Sequence, residues 1–146
     1  MKEIRQIEYL SKEYLESVSL REKILRKPLG MHFSEEFIKK DSEDYHFALF
    51  FDDKLAAILL MKPLSSYVVK MRQVAVESVY QNKNLGTDLV LFSEKFAIEK
   101  NFSRIVLHAR ATAVNFYLRL NYKIISDEFI EIGIPHFKME KILTIS

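Results

Sequence analysis

The clearest run of hydrophobic and polar positions in the chain lies between Ser66 and Ala113. SYVVKMRQVAVES is dense in β-branched and apolar residues, the pattern of a buried strand. It leads through VYQNKNLG into LGTDLVLFSEKFAIEK, where Leu85, Leu89, Phe92 and Phe96 recur at helical spacing. Asp88, Glu94, Lys95, Glu99 and Lys100 fill the opposite face, so one side of this helix is expected to pack and the other to be wet. IVLHA predicts a second apolar strand. Strand, helix and strand in this order imply a right-handed crossover between parallel strands. The helix N-terminus then lies at the carboxyl end of the first strand, where open α/β sheets bind ligands and free backbone N–H groups favour anions.

Around this unit, Lys2 to Glu8 predicts an edge strand and Ser11 an N-cap for a helix running to about Lys27, with Tyr14, Val18, Ile24 and Leu25 on its apolar side. Pro28 and Gly30 stop it. SEEFIKK predicts a short helix with acids in its first turn and lysines in its last. YHFALFF, Asp52, Asp53 and KLAAILLMK read as an antiparallel hairpin closed by an acidic turn, with Pro63 ending the second strand. Both strands are apolar at odd and even positions, so helices are expected on both faces of the sheet. After Ser103 to Ala109 comes a helix over about Thr112 to Leu120, then strands at YKII and HFKMEKIL with a turn around Gly133 and Pro135. The fold class is α/β: a mixed, mostly antiparallel sheet with a central parallel βαβ unit, in one domain over residues 1–146.

Charge and composition narrow the function classes. The formal net charge is +2 with acids and bases interspersed, which argues against a nucleic-acid partner. Cysteine is absent, so disulfide and thiolate chemistry are excluded, and His32, His46, His108 and His136 have no close metal-ligand spacing. No metal is expected. No signal-peptide core or membrane-length apolar run is present, and a cytoplasmic location is the expectation.

The loop Gln81-Asn82-Lys83-Asn84-Leu85-Gly86 and the later segment ATAVNFYLRLNY resemble the two signatures of the GCN5-related N-acetyltransferases (GNAT). The resemblance covers most of the chain. It implies that the backbone N–H groups of this loop, with Thr87 behind it, hold the pyrophosphate of acetyl-coenzyme A. It further implies that Val74, Ala75 and Val76 pair with the pantetheine arm and the acetyl carbonyl, that Asn115 touches the cofactor, and that Tyr117 faces the departing sulfur. Asn84, Asn101 and Asn121 stand where the family commonly has glycine. Asparagine is the non-glycine residue most tolerant of positive φ, so the backbone requirement is expected to survive. LHAR and EIGIPHFKMEK also look like a branch of small bacterial acetyltransferases of undefined acceptor, and Lys70 stands where histone-modifying members carry an acid.

Acetyl transfer needs a neutral amine, a polarised thioester and a proton for the thiolate. An alkylamine of pKa ~10.4 is neutral in only about one part in a thousand at pH 7, so a base is needed. His136, beside Glu131 at a turn, suits that role, and a hydrogen-bonded structural histidine fits it equally well. His108, on a buried strand, can point at the cleft or into the core, of which the core is expected, and His46 is expected to be structural. Tyr117 can serve as proton donor or as packing. Arg72 and Lys83 can meet coenzyme A phosphates or simply be solvated. The expected function is acetyl-CoA-dependent acetylation of a primary amine on a small molecule or peptide. The alternatives are a coenzyme A-binding regulatory module with little catalysis and a ligand-free domain that forms a homodimer through its terminal strands.

Overall fold

A computed structural model describes residues 1–144. The sheet is built outward from the hairpin of β2 (Tyr45–Phe51) and β3 (Lys54–Pro63), whose two-residue turn places Asp52 at φ 50 and Asp53 at φ 66. Two successive left-handed residues match the twist of a tight hairpin, and aspartate tolerates that region better than most side chains. β1 (Lys2–Ile7) closes one edge against β2. β4 (Val68–Val76) runs antiparallel to β3 and parallel to β5 (Arg104–Arg110), and β8 (Ile134–Ile142) runs antiparallel to β5. With β6 (Lys123–Ile124) at the far edge, the order is β1-β2-β3-β4-β5-β8-β6, and β7 (Phe129–Glu131) pairs with β8. The sheet is therefore mixed, with the expected parallel pair at its centre.

Four helices cover the two faces. α1 (Lys12–Leu25) is capped by Ser11, whose Oγ accepts from the Tyr14 N–H at 3.1 Å. Tyr14 packs with Ala48 and Phe50, and Leu20 with Ile58, Leu60 and Ala75, on the same side of the sheet as the short α2 (Glu35–Lys39). On the other side α3 (Leu85–Glu99) sets Leu85, Leu89, Val90 and Ala97 on Phe47, Leu49, Leu59, Met61 and Met71, and α4 (Val114–Arg119) joins that core through Val114 and Tyr117. This two-sided burial explains why β2 and β3 carry apolar residues at both odd and even positions.

Glu94 departs from the expected wet face of α3. It is buried, accepts from Tyr122 Oη at 2.9 Å, and pairs with Lys141 Nζ at 2.8 Å. The turn near the C-terminus also differs: it is made by Ile132 and Gly133, at φ 47 and 79, while Pro135 lies within β8 opposite Ile130.

One irregularity positions the site. Leu60 faces Arg72 and Ile58 faces Ala75, so Leu59 alone opposes Gln73 and Val74, and Gln73 bulges at φ 58. Pairing of β4 with β5 ends at Met71 and Leu107. Beyond that point the two parallel strands separate.

Candidate active site

The carboxyl end of β4 continues through a single 3-10 turn (Ser78–Tyr80) into the loop before α3. Asn82 and Asn84 occupy the left-handed region at φ 66 and 62, and Asn101 and Asn121 do so at 68 and 72. Each of the three asparagines expected to replace a family glycine thus holds a glycine-like backbone. Gln81 folds back, its Nε2 donating to Val76 O at 3.1 Å, which ties the loop to the strand end. The first helical bond of α3 runs from the Asp88 N–H to Asn84 O at 3.0 Å, so the N–H groups of Leu85, Gly86 and Thr87 precede the ladder. Gly86 is buried and has no positive φ; a Cβ added there would meet Phe116 and Val76 at 3.5 Å, ordinary contact. The protein's own packing therefore does not demand glycine at this position.

Where β4 and β5 part, a cleft of about 400 Å³ passes through the sheet. Met71, Val74, Leu107, Ala109 and Tyr117 line it toward the α3 side, and Lys70, Arg72, His108, Arg110, Glu131 and His136 toward the α1 side. Tyr117 is held by edge contacts with Phe116 and Tyr122, at ring separations of 5.0 and 5.7 Å. Burial pushes its phenol well above the ordinary range, which keeps it a protonated donor.

Opposite Tyr117, three side chains from neighbouring strands converge. His108 Nδ1 lies 3.0 Å from Glu131 Oε1, and His136 Nε2 lies 3.5 Å from Glu131 Oε2. His136 Nδ1 is 2.9 Å from Ile134 O, an acceptor only, so Nδ1 carries the proton. Burial alone would raise the Glu131 carboxyl, but hydrogen bonding from His108 and the nearby charges of His108, His136 and Lys70 outweigh it and hold the group below the usual carboxylate range. An ionised Glu131 fixes the proton of His108 on Nδ1 and leaves the Nε2 lone pair available.

Beneath the cleft floor lies a charge network. Asp41, fully buried, accepts from Tyr14 Oη at 2.9 Å, Arg21 Nη1 at 2.6 Å and Arg72 Nη1 at 3.2 Å, and Arg72 also binds Asp44. Two carboxylates thus neutralise two arginines. Among the described residues no group of His, Asp and Glu could hold a metal ion.

The model of the acetyltransferase (GNAT) domain matches residues 9–143. The chain belongs to the GNAT family of acetyltransferases. Among curated relatives, a 75-residue stretch is 35% identical to YyaT of Bacillus subtilis, spanning 51% of this chain and only 51% of that protein, about half its length. The N-acetyltransferase YjcF of the same organism is 26% identical over 123 residues, 84% of this chain and 87% of its own. Among solved structures, ElaA of Escherichia coli superposes with a TM-score of 0.83 at 19% identity, covering 97% and 99% of the two chains. A GNAT acetyltransferase of Elizabethkingia anophelis with acetyl-CoA bound gives 0.74 at 14% identity, covering 97% and 98%. As a member of this family the chain is an N-acetyltransferase.

Within this GNAT fold the expected loop residues Gln81 to Thr87 stand together at the start of α3, and Val74 to Val76 form the end of β4 beside the gap. Asn115 is exposed on α4, two residues before Tyr117. Tyr117 and His136 both reach the cleft. His108 does not lie in the core: alternation along β5 sends Leu107 and Ala109 inward and turns His108 and Arg110 to the cleft. Arg72 is absent from the loop end, bound instead to Asp41 and Asp44. His46 is structural as expected, its Nε2 2.8 Å from Asp41 O. His32 pairs at the surface with Glu22. Arg26, Lys70 and Arg110 were not singled out as acceptor-site residues; the apolar–polar alternation of LHAR carried the one local sign of Arg110 and His108.

No helix is long and apolar enough to cross a membrane among the described residues.

Proposed function

We propose that residues 1–146 work as one acyl-CoA N-acyltransferase domain that acetylates a primary amine by direct attack on the acetyl-CoA thioester. The observation that carries this reading is the cleft through the sheet, with a buried phenol on one side and the His108–Glu131 pair on the other. The thioester is taken to lie beside Val74–Val76, with its pyrophosphate on the N–H groups from Gln81 to Thr87 and Asn115 alongside. An amine entering from the α1 side gives its proton to His108 Nε2, directly or through water, and its lone pair forms the C–N bond at the acetyl carbon. Strand N–H groups at the bulge stabilise the oxyanion. As the C–S bond breaks, the electron pair leaves on sulfur and Tyr117 donates its phenolic hydrogen to the thiolate. His136, with its Nδ1 proton committed to Ile134 O, turns its Nε2 toward Glu131 Oε2 at 3.5 Å and stands second to His108 as a base.

Calorimetric titration with acetyl-CoA, followed by thiol release against a panel of amines, tests this reading. The protein has no cysteine, so every thiol detected is released coenzyme A. Binding without release from any amine would favour a coenzyme A-responsive module, and absence of binding would remove the phosphate-loop assignment.

A further inference from the structure

We propose that the acceptor amine carries an anionic group, a carboxylate or phosphate, which seats on the paired guanidinium groups of Arg26 and Arg110 beside Lys70. This rests on the acetyltransferase reading and specifies its second substrate. The cations of the α1-side face fall into two sets. Arg21 and Arg72 are neutralised by Asp41 and Asp44. Arg26, Lys70 and Arg110 form no ion pair with a carboxylate among the described residues; Glu131, the acid in the cleft, is hydrogen-bonded to His108 and acts on Arg26 and Lys70 only through space.

Arg26 and Arg110 are not merely near each other. Arg26 Nη1 donates to Leu25 O at 3.3 Å and Arg110 Nη2 donates to the same oxygen at 2.6 Å, so one carbonyl holds two like charges together. Arg26 is only 9% exposed and lies over the rings of Phe33 and Phe37 at 5.0 and 5.6 Å, which fix its plane. Burial, and for Arg26 also the charge of Arg110, disfavours the protonated form of both. Buried charges are ordinarily paired, and guanidinium groups suit planar recognition of carboxylate and phosphate oxygens. A carbonyl satisfies donors but supplies no countercharge. The anion is not the cofactor pyrophosphate, because none of Gln81 to Gly86 borders the cleft. With the anionic group on Arg26 and Arg110, the amine of a small acceptor extends toward His108 and the strand gap. Polycationic acceptors such as polyamines would meet like charge at the same face.

The test uses the full chain saturated with coenzyme A, which occupies the phosphate loop. Calorimetry compares L-amino acids with their amides, and O-phosphoethanolamine with ethanolamine. Thiol release with acetyl-CoA compares the same pairs and spermidine. At least one anionic amine is expected to bind tenfold or more tightly than its neutral counterpart and to be the better acceptor, with the preferred anion distinguishing carboxylate from phosphate. Arg110→Gln and, independently, Arg26→Gln are expected to remove that preference, raising acceptor KM tenfold or more without raising KM for acetyl-CoA. Equal binding of anionic and neutral amines, preference for spermidine, or an unchanged preference in both folded variants would overturn the proposal. Anion-selective binding without thiol release would instead count against the catalytic reading while leaving the anion site standing.

Discussion

His108 Nδ1 and Glu131 Oε1 lie 3.0 Å apart, linking β5 to β7 across the mouth of the cleft. A carboxylate on one imidazole nitrogen leaves the other as the proton acceptor. His108→Gln is therefore expected to lower kcat/KM for the amine by about 10²–10³, the usual scale of a general base, with acetyl-CoA affinity unchanged in calorimetry. Glu131→Gln should cost less, since it removes orientation and not the base. Glu131 is held below its ordinary carboxylate pKa of 4.5, so it stays ionised throughout the neutral and mildly acidic range. Equal losses of kcat/KM in the two variants would remove His108 from the base role.

Tyr117→Phe deletes one hydroxyl that makes no hydrogen bond among the described residues and leaves the ring in edge contact with Phe116 and Tyr122. Stability should change by less than about 1 kcal/mol, because no partner is left unsatisfied. Turnover should fall by about tenfold to a hundredfold, with acetyl-CoA Kd moving less than about threefold. A rate equal to wild type would make Tyr117 a packing residue.

Gly86→Ala separates the demands of ligand and fold. The added methyl finds ordinary contacts at 3.5 Å, and alanine favours helix over glycine by up to about 1 kcal/mol. The melting temperature should hold or rise while acetyl-CoA affinity drops by about tenfold or more, equivalent to about 1.4 kcal/mol. A destabilised variant with normal affinity would show that the fold itself requires glycine here.

The difference between what the chain announces and what it conceals has a physical basis. Asn84, Asn101 and Asn121 announced left-handed backbone because that requirement is local and residue type answers it directly. The hairpin at Asp52 and Asp53 and the cap at Ser11 were legible for the same reason. The alternation of LHAR hints at His108, but a strand covered on both sides does not show which of its faces opens. The opening depends on the bulge at Gln73 and on β7, three residues too brief to show a period. Glu94 was misplaced because its partners Tyr122 and Lys141 lie 28 and 47 residues away, and helical periodicity carries no information on them. Arg26 and Arg110 meet at Leu25 O only after α1 docks on the sheet; the contact from Arg110 spans 85 residues.

His46 couples stability to pH. Burial is the dominant influence and lowers its pKa from 6.5, while the Asp41 carbonyl and the charges of Asp41 and Asp44 oppose this; Nδ1 has no partner. A histidine whose folded pKa is depressed binds more protons unfolded, so its contribution is complete above the unfolded value and is lost as pH falls toward the folded one. Urea unfolding of wild type should show declining stability from about pH 6.5 downward. His46→Phe, which keeps an aromatic ring beside Tyr14, should be less stable at pH 7.5 by about 1 kcal/mol through the lost bond to Asp41 O, yet decline less below pH 6.5. Parallel declines would show that other groups set the slope.

The Glu94–Lys141 pair anchors α3 to the last strand, with Tyr122 donating to the second carboxylate oxygen. Its side chains are only 10% and 20% exposed, so removal of the cation strands a carboxylate in an apolar layer. Lys141→Met is expected to cost about 3 kcal/mol, the low end for breaking a buried pair, since some solvent still reaches Lys141. Glu94→Gln in the same background should recover part of that loss, because the amide keeps an acceptor for Tyr122 without a charge to solvate. A double-mutant cycle in urea measures the coupling. Burial and the adjacent Glu94 charge push the Tyr122 phenol up, so it remains a donor across the accessible pH range and the cycle reads the ion pair alone. A coupling below about 0.5 kcal/mol, the scale of exposed pairs, would mean that water already screens Glu94 and that Leu89, Val90 and Ala97 alone fix α3 on the sheet.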